Sequence, residues 1–122
     1  MKIENEGKKQ MKIVDLKDVQ IADTPHKVDI KKLFNFEHAT FVHIELKPGE
    51  ALKRHITPVD VNFYILEGNG IVEIGKEREY VKKDQLIFSP AKISHTLLNE
   101  SEKIFRFLVI KTPTPTSETK LL

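Results

Sequence analysis

Between Pro48 and Gly70 the chain reads PGEALKRHITPVDVNFYILEGNG, and no other stretch narrows the choice of fold as far. Pro48-Gly49 makes a turn, a polar run leads to His55, Pro58 breaks the chain again, and Gly68 and Gly70 close the segment. Between these breaks Val61, Phe63 and Ile65 alternate with Asn62 and Tyr64. A period of two places the three apolar side chains on one face of a half-buried strand. His55 then stands at the mouth of a sheet.

The same alternation recurs on both sides of this segment. From about Thr40 to Leu46, Val42, Ile44 and Leu46 share one face, leaving Phe41, His43 and Glu45 on the other. After Gly70 the run IVEIGKEREYV reads as a strand, a tight turn near Gly75-Lys76 and a return strand, which is hairpin chemistry. Leu86 to Phe88 forms a short strand that Pro90 ends, and Ile93 to Leu98 carries His95. The run KIFRFLVI, Lys103 to Ile110, puts Phe105, Phe107 and Val109 on one face and turns Arg106 outward toward an ion pair or a subunit interface. No segment from Thr40 to Ile110 sustains a helical period, so the fold class is all-β.

The ends are less patterned. Residues 1–10 are charged and poor in large apolar groups, which predicts a flexible lead-in. From Met11 the run KIVDLKDVQI alternates as a strand would, with an amphipathic helical turn as the other reading. His26, in the turn Thr24-Pro25-His26, is expected to be a solvated loop residue. A short strand and a loop follow from Val28 to Phe36. The tail TPTPTSETKLL, residues 112–122, has two prolines and no apolar period, and is expected to be flexible, which leaves 11–111 as the folded domain.

With 122 residues and 39% hydrophobic content, the chain can bury one core and not two. Twenty basic residues against 18 acidic ones leave no strong field, which argues against nucleic acid or an anionic membrane as a partner. The absence of cysteine removes disulfides, thiolate zinc sites and cysteine nucleophiles together. Neither a membrane-spanning apolar run nor a signal-peptide core is present near Met1, so a cytoplasmic protein is expected. Abundant Lys and Glu without Cys or Trp suit a thermophilic source.

Two spaced sets of residues resemble the motifs of the cupins, small double-stranded β-helix (jelly-roll-like) barrels. The first motif, G-x5-H-x-H-x3-E-x6-G, falls on Gly49, His55, Thr57, Val61 and Gly68. The second, G-x5-P-x-G-x2-H-x3-N, falls on Asp84, Pro90, Lys92, His95 and Asn99. The spacing is kept, but Thr57 replaces the second histidine and Val61 the glutamate, so the metal-ligand set is incomplete.

The resemblance implies that His55 and His95 enter one cavity from opposite halves of the barrel, where they could hold a divalent metal such as Zn, Mn, Fe, Ni or Cu. Catalytic sites usually offer three protein ligands. Asp60, Thr57 and water are the candidates for the third. Asp60 should alternate outward if Val61 points in, unless a bulge near Pro58 changes the register. The competing reading is a relict pair, hydrogen-bonded to each other, to Thr57 or to water.

Two functions follow. One is a small-molecule-binding cupin for a sugar-like or acidic metabolite, its cavity walled by Val61, Phe63, Ile65, Leu97, Phe105 and Phe107 with His55, Thr57 and His95 as polar points. The other is a metal-dependent oxygenase, isomerase or decarboxylase using His55 and His95. No carboxylate is placed to orient either imidazole as a metal-free general base. Lys53 and Arg54 flank His55 at the rim. Ser89 and Ser94 lie near His95 with no acid to complete a triad, which makes a hydrolase improbable. Gly68-Asn69-Gly70 joins strand to strand and is no phosphate loop. The resemblance further implies a homodimer, and Phe41, Tyr64 and His43 on outward faces agree with one.

Overall fold

The computed structural model describes residues 10–122, so nearly all of the expected lead-in lies outside it. Among the described residues ten strands form two five-stranded antiparallel sheets. They are β1 (Asp29–Asn35), β2 (Thr40–Leu46), β3 (His55–Ile56), β4 (Asp60–Glu67), β5 (Asn69–Ile74), β6 (Glu77–Lys82), β7 (Leu86–Ser89), β8 (Ser94–Leu98), β9 (Phe105–Thr112) and β10 (Lys120–Leu121). The first sheet has the order β1-β2-β9-β4-β7 and the second β10-β3-β8-β5-β6. Outside the β1-β2 and β5-β6 hairpins, consecutive strands thus lie in opposite sheets, as a double-stranded β-helix requires. Among the described residues no helix is long and apolar enough to cross a membrane.

The strand faces follow the alternation in the sequence. Val61, Phe63 and Ile65 on β4 and Phe105, Phe107 and Val109 on β9 are all buried, and they pack with Val42 and Ile44 of β2 and with Val72 and Leu97 of the second sheet. Residues directly opposite in an antiparallel pair share a face. Ile44, Phe107 and Ile65 accordingly form one inward row, and Val42, Val109 and Phe63 the next. The third inward row is Thr40, Lys111, Val61 and Ser89. Going along β9 toward its C-terminal end, the interior therefore changes from aromatic to aliphatic to cationic.

Two motif residues prove to be structural. Asn99 is fully buried; its amide donates to Leu46 O (2.9 Å) and Lys103 O (2.7 Å), and its carbonyl accepts from Ser101. Gly70 lies under the Phe105 ring, so that a Cβ there would enter the ring itself. Asp84 and Lys92, standing where the resemblance has glycine, take left-handed backbone conformations (φ 69° and 68°). The turns have kept their shape without the residue that forms them most easily.

Three expectations at the ends and edges are corrected. Residues 11–15 form no strand: Asp15 accepts from Lys17 N–H and caps a short 3-10 turn, Leu16–Asp18, and Ile13 is largely exposed. The tail is not loose throughout, because β10 pairs with β3 and Leu122 N–H donates to Arg54 O. A two-residue edge strand needs a covering partner. His43 does point away from the interior, but it is buried, accepting from Arg106 Nη1 at 2.8 Å. Arg106 forms the anticipated ion pair, with Glu67 at 2.6 Å.

Replacing Gly70 by Ala forces the Phe105 ring off its packing, an overpacking change that costs about 1–3 kcal/mol. Denaturant unfolding of Gly70→Ala is expected to show a lower midpoint with an unchanged slope.

Candidate functional site

His55 and His95 meet because β3 and β8 pair with these two residues directly opposite one another. Their Nε2 atoms are 3.0 Å apart and the ring centroids 4.5 Å, edge to face. The Phe63 ring closes on His95 from the other sheet at 5.3 Å. Thr57 Oγ1 is 3.2 Å from His95 Nε2. Ser89 Oγ is 2.7 Å from His95 Nδ1.

The hydrogen bonds assign the tautomers. His55 Nδ1 lies 2.7 Å from Lys53 O, which can only accept, so Nδ1 carries the proton and Nε2 keeps its lone pair. His95 Nε2–H then donates to His55 Nε2, and the Ser89 hydroxyl donates to His95 Nδ1. The outcome is a chain of neutral groups, Ser89 to His95 to His55 to the Lys53 carbonyl. Burial pushes the His95 pKa down to about 3, with the charges of His55, Lys111 and Arg54 adding to it. His55 is lowered as well, chiefly by burial, although its bond to Lys53 opposes this.

A third histidine joins them. His26 packs edge-on against His55 with centroids 5.0 Å apart, and its Nδ1 accepts from Lys53 N–H at 2.9 Å. The expected solvated loop residue is thus a wall of the site. Its pKa is pushed down to about 4, by burial first and then by the charges of His55, Lys53 and Lys111. An accepting Nδ1 fixes the proton on Nε2, which leaves His26 a donor without a free lone pair.

These rings border a cavity of about 140 Å³ between the sheets. Of the residues singled out in the sequence, His55, Thr57, Val61, Phe63 and His95 line it. Ile65, Leu97, Phe105 and Phe107 do not; they are fully buried in the core beneath. In their place come Ile30, Val42, Ile44, Leu52 and Val109 as apolar walls, with Thr24, His26, Lys32 and Lys111 as polar ones. Lys53 and Arg54 do not face the cavity with their charges. Arg54 is held by Glu73 (3.2 Å) and Ser94 (3.2 Å) and donates to Gly75 O.

Lys111 has a readable signal in the sequence. The inward alternation Phe105, Phe107, Val109 continues two residues further onto a lysine, and Ile30 is followed in the same way by Lys32. His26 has none, because loop packing carries no period. Burial and the neighbouring Lys32 charge lower the Lys111 pKa. Among the described residues no carboxylate lines the cavity. Asp60, the candidate third ligand, accepts from Ala91 N–H at 2.8 Å, and β4 is in regular register there, its irregularity falling at Ile65/Glu67 instead.

The donor set does not fit a divalent metal. The His55 Nε2 lone pair already accepts from His95 Nε2–H, and His95 Nε2 offers one only once that proton is lost; Thr57 adds a hydroxyl and Val61 nothing. Two lysines and no carboxylate leave the charge of a divalent ion uncompensated. Among the described residues no group of three or more His, Asp or Glu is arranged to hold a metal ion.

Comparisons with known proteins agree with this architecture. The family described as "Cupin domain" matches residues 42–111. An uncharacterised protein of Methanocaldococcus jannaschii, MJ0764, is 28% identical over 87 residues, 70% of this chain and 75% of that protein. The crystal structure of TT1209 from Thermus thermophilus superposes with a TM-score of 0.74 at 32% identity, covering 86% of this chain and 100% of that one. The polyketide cyclase RemF of Streptomyces resistomycificus superposes with a TM-score of 0.79 at 22% identity, covering 92% and 85% of the two chains, a likeness of fold. Two facing antiparallel sheets, the spacing of both motifs and a family match over more than half of its length identify this chain as a member of the cupin superfamily.

Proposed function

We propose that the chain is a small-molecule-binding cupin whose ligand is a small organic acid, held between the sheets in the His55–His95 cavity. One observation carries this reading: among the described residues the lining brings two lysines, hydroxyls and the His26 N–H among apolar walls and includes no carboxylate. A pocket of mostly apolar surface with a few converging polar groups is the usual form of a ligand site. Here every charged group in it has the same sign.

Two of those polar groups are without partners among the described residues. Thr24 Oγ1 is buried and makes no hydrogen bond. No hydrogen bond or ion pair engages the Lys111 ammonium. A buried hydroxyl without a partner calls for an occupant, and the Lys111 ammonium, open to the cavity and not sealed in the core, can meet one. An anionic ligand would satisfy both, and its apolar part would rest on Val42, Val61 and Val109. A cavity of about 150 Å³ takes a molecule of benzene's size, on the order of six heavy atoms. The acid is small.

The alternative, a metal-dependent enzyme, draws support from the His55 Nδ1–H bond to Lys53 O, since metal-bound imidazoles are commonly anchored to a carbonyl in this way. It needs a third donor and a negative charge that the cavity lacks. The acid-binding reading uses the groups that are there.

A second copy of the chain is the protein partner we propose. On the outer face of the first sheet, Phe41, Ile110, Asn62 and Phe88 fall in one cross-strand row, and His43, Leu108, Tyr64 and Leu86 in the next, so that apolar side chains predominate. Leu86 is 61% and Phe88 56% exposed, next to the free edge of β7. An apolar face of this kind is rare on a monomer.

Calorimetry at low salt with a series of short carboxylic acids is expected to give binding that weakens as salt rises. Lys111→Met should weaken it about tenfold to a hundredfold, the loss of one charged hydrogen bond. Equal affinity for neutral polyols, indifferent to salt and to Lys111→Met, contradicts the reading. In sedimentation at micromolar concentration a dimer is expected, and Phe88→Lys should convert it to monomer; a monomeric parent protein contradicts the pairing.

A further inference from the structure

Lys111 occupies a position built for an apolar side chain. It follows Phe105, Phe107 and Val109 on the inward face of β9 and lies opposite Val61 of β4, itself buried. A lysine on a strand can usually turn its ammonium to water. This one lines the cavity, and no carboxylate or acceptor among the described residues takes its protons. The neighbouring ionisable groups are all basic. Lys32 lines the same cavity from β1, and the Lys111 charge is felt by His26, His55 and His95.

An amine in such surroundings is unlike the other lysines of the chain. Apolar walls and a second cation both disfavour its protonated form, which raises the share of free amine near neutral pH. This is the environment that makes a lysine a nucleophile toward carbonyl carbon. Lys32, more exposed and lining the same cavity, is suited to hold an anionic group. Two lysines therefore divide two tasks: one attracts the acid, and the other meets its reactive carbon.

We propose that Lys111 condenses with the carbonyl group of a small 2-oxo acid to form an imine in the cavity. This goes beyond simple binding and rests on the acid-binding reading above. The Lys111 nitrogen lone pair forms the C–N bond as the carbonyl π pair moves onto oxygen. The nitrogen loses a proton and the oxygen gains one, giving a carbinolamine. A second proton on that oxygen lets it leave as water while the nitrogen lone pair forms the C=N bond, and the iminium nitrogen then releases its remaining proton, replacing the one consumed. The sum is amine plus carbonyl to imine plus water, with no oxidant or reductant. The Thr57 hydroxyl and the His26 Nε2–H are the donors in the cavity wall that can bind the oxygen as charge collects on it.

The test uses the full chain with pyruvate as the carbonyl acid and lactate as its counterpart without a carbonyl. Binding of each is measured by calorimetry, and pyruvate is then trapped with cyanoborohydride and located by peptide mass mapping. A single adduct on Lys111 is expected, absent in Lys111→Arg, with exposed Lys76 and Lys83 in the same sample unmodified. Circular dichroism of Lys111→Arg checks that the sheets remain. If pyruvate and lactate both bind but no adduct forms, or if adducts spread over the exposed lysines, the imine is overturned and the acid-binding reading stands. If neither acid binds and nothing is trapped, both fall.

Discussion

His55 lies directly opposite His95 across two neighbouring strands, and the chemistry available to the cavity depends on that pairing. Cross-strand partners in an antiparallel pair have their Cβ atoms about 4.5–5.5 Å apart, so two imidazoles placed there must deal with each other. Both charged would repel at 3.0 Å in a buried place, and the structure resolves this by keeping both neutral and joining them by one shared proton. The Lys53 carbonyl on one side and the Ser89 hydroxyl on the other fix the direction in which that proton is given. A one-residue slip of β3 would send His55 outward and dissolve the arrangement. The covering strand β10, paired to β3, keeps this short edge in place.

Stability and site occupy opposite ends of the same strands. Toward one end Leu46, Phe105 and Leu97 are completely buried, and Asn99 ties the turn before β9 to the end of β2. Toward the other, the inward positions of β9 and β1 pass to Lys111 and Lys32 and those of β7 and β8 to Ser89 and His95. This separation is what lets the cavity carry unpaired polar groups, since the sealed core supplies cohesion without them. Acidic side chains are occupied elsewhere: Glu67 with Arg106, Glu73 with Arg54 and Arg78, and Asp60 with the Ala91 backbone. A chain of nearly balanced charge thereby builds a cavity of one sign.

Much of this is legible in the sequence, for reasons that differ by residue. Period-two alternation discloses β2, β4, β5 and β9, and motif spacing places His55, Thr57, Val61 and His95 in one region because turn length fixes register. Alternation draws the lining too deep, as in Phe105 and Phe107, since it tells which face a side chain is on and not how far along the strand the cavity reaches. Lys111 hides behind the habit of ending an apolar run at its first charge. His26 cannot be read, because its position depends on a loop folding against Lys53 and His55. The strand expected from Met11 loses to Asp15, whose carboxylate caps a turn.

Nitrogen-15 spectroscopy of the imidazoles over pH 7 to 4, on protein free of added metal, bears most directly on the central claim of a neutral, proton-sharing pair. The account predicts a proton on Nδ1 of His55 and on Nε2 of His95 at pH 7, with His95 resisting protonation until about pH 3. Protonation of His95 near its ordinary value of about 6.5, or protons on Nε2 of both rings, would contradict it.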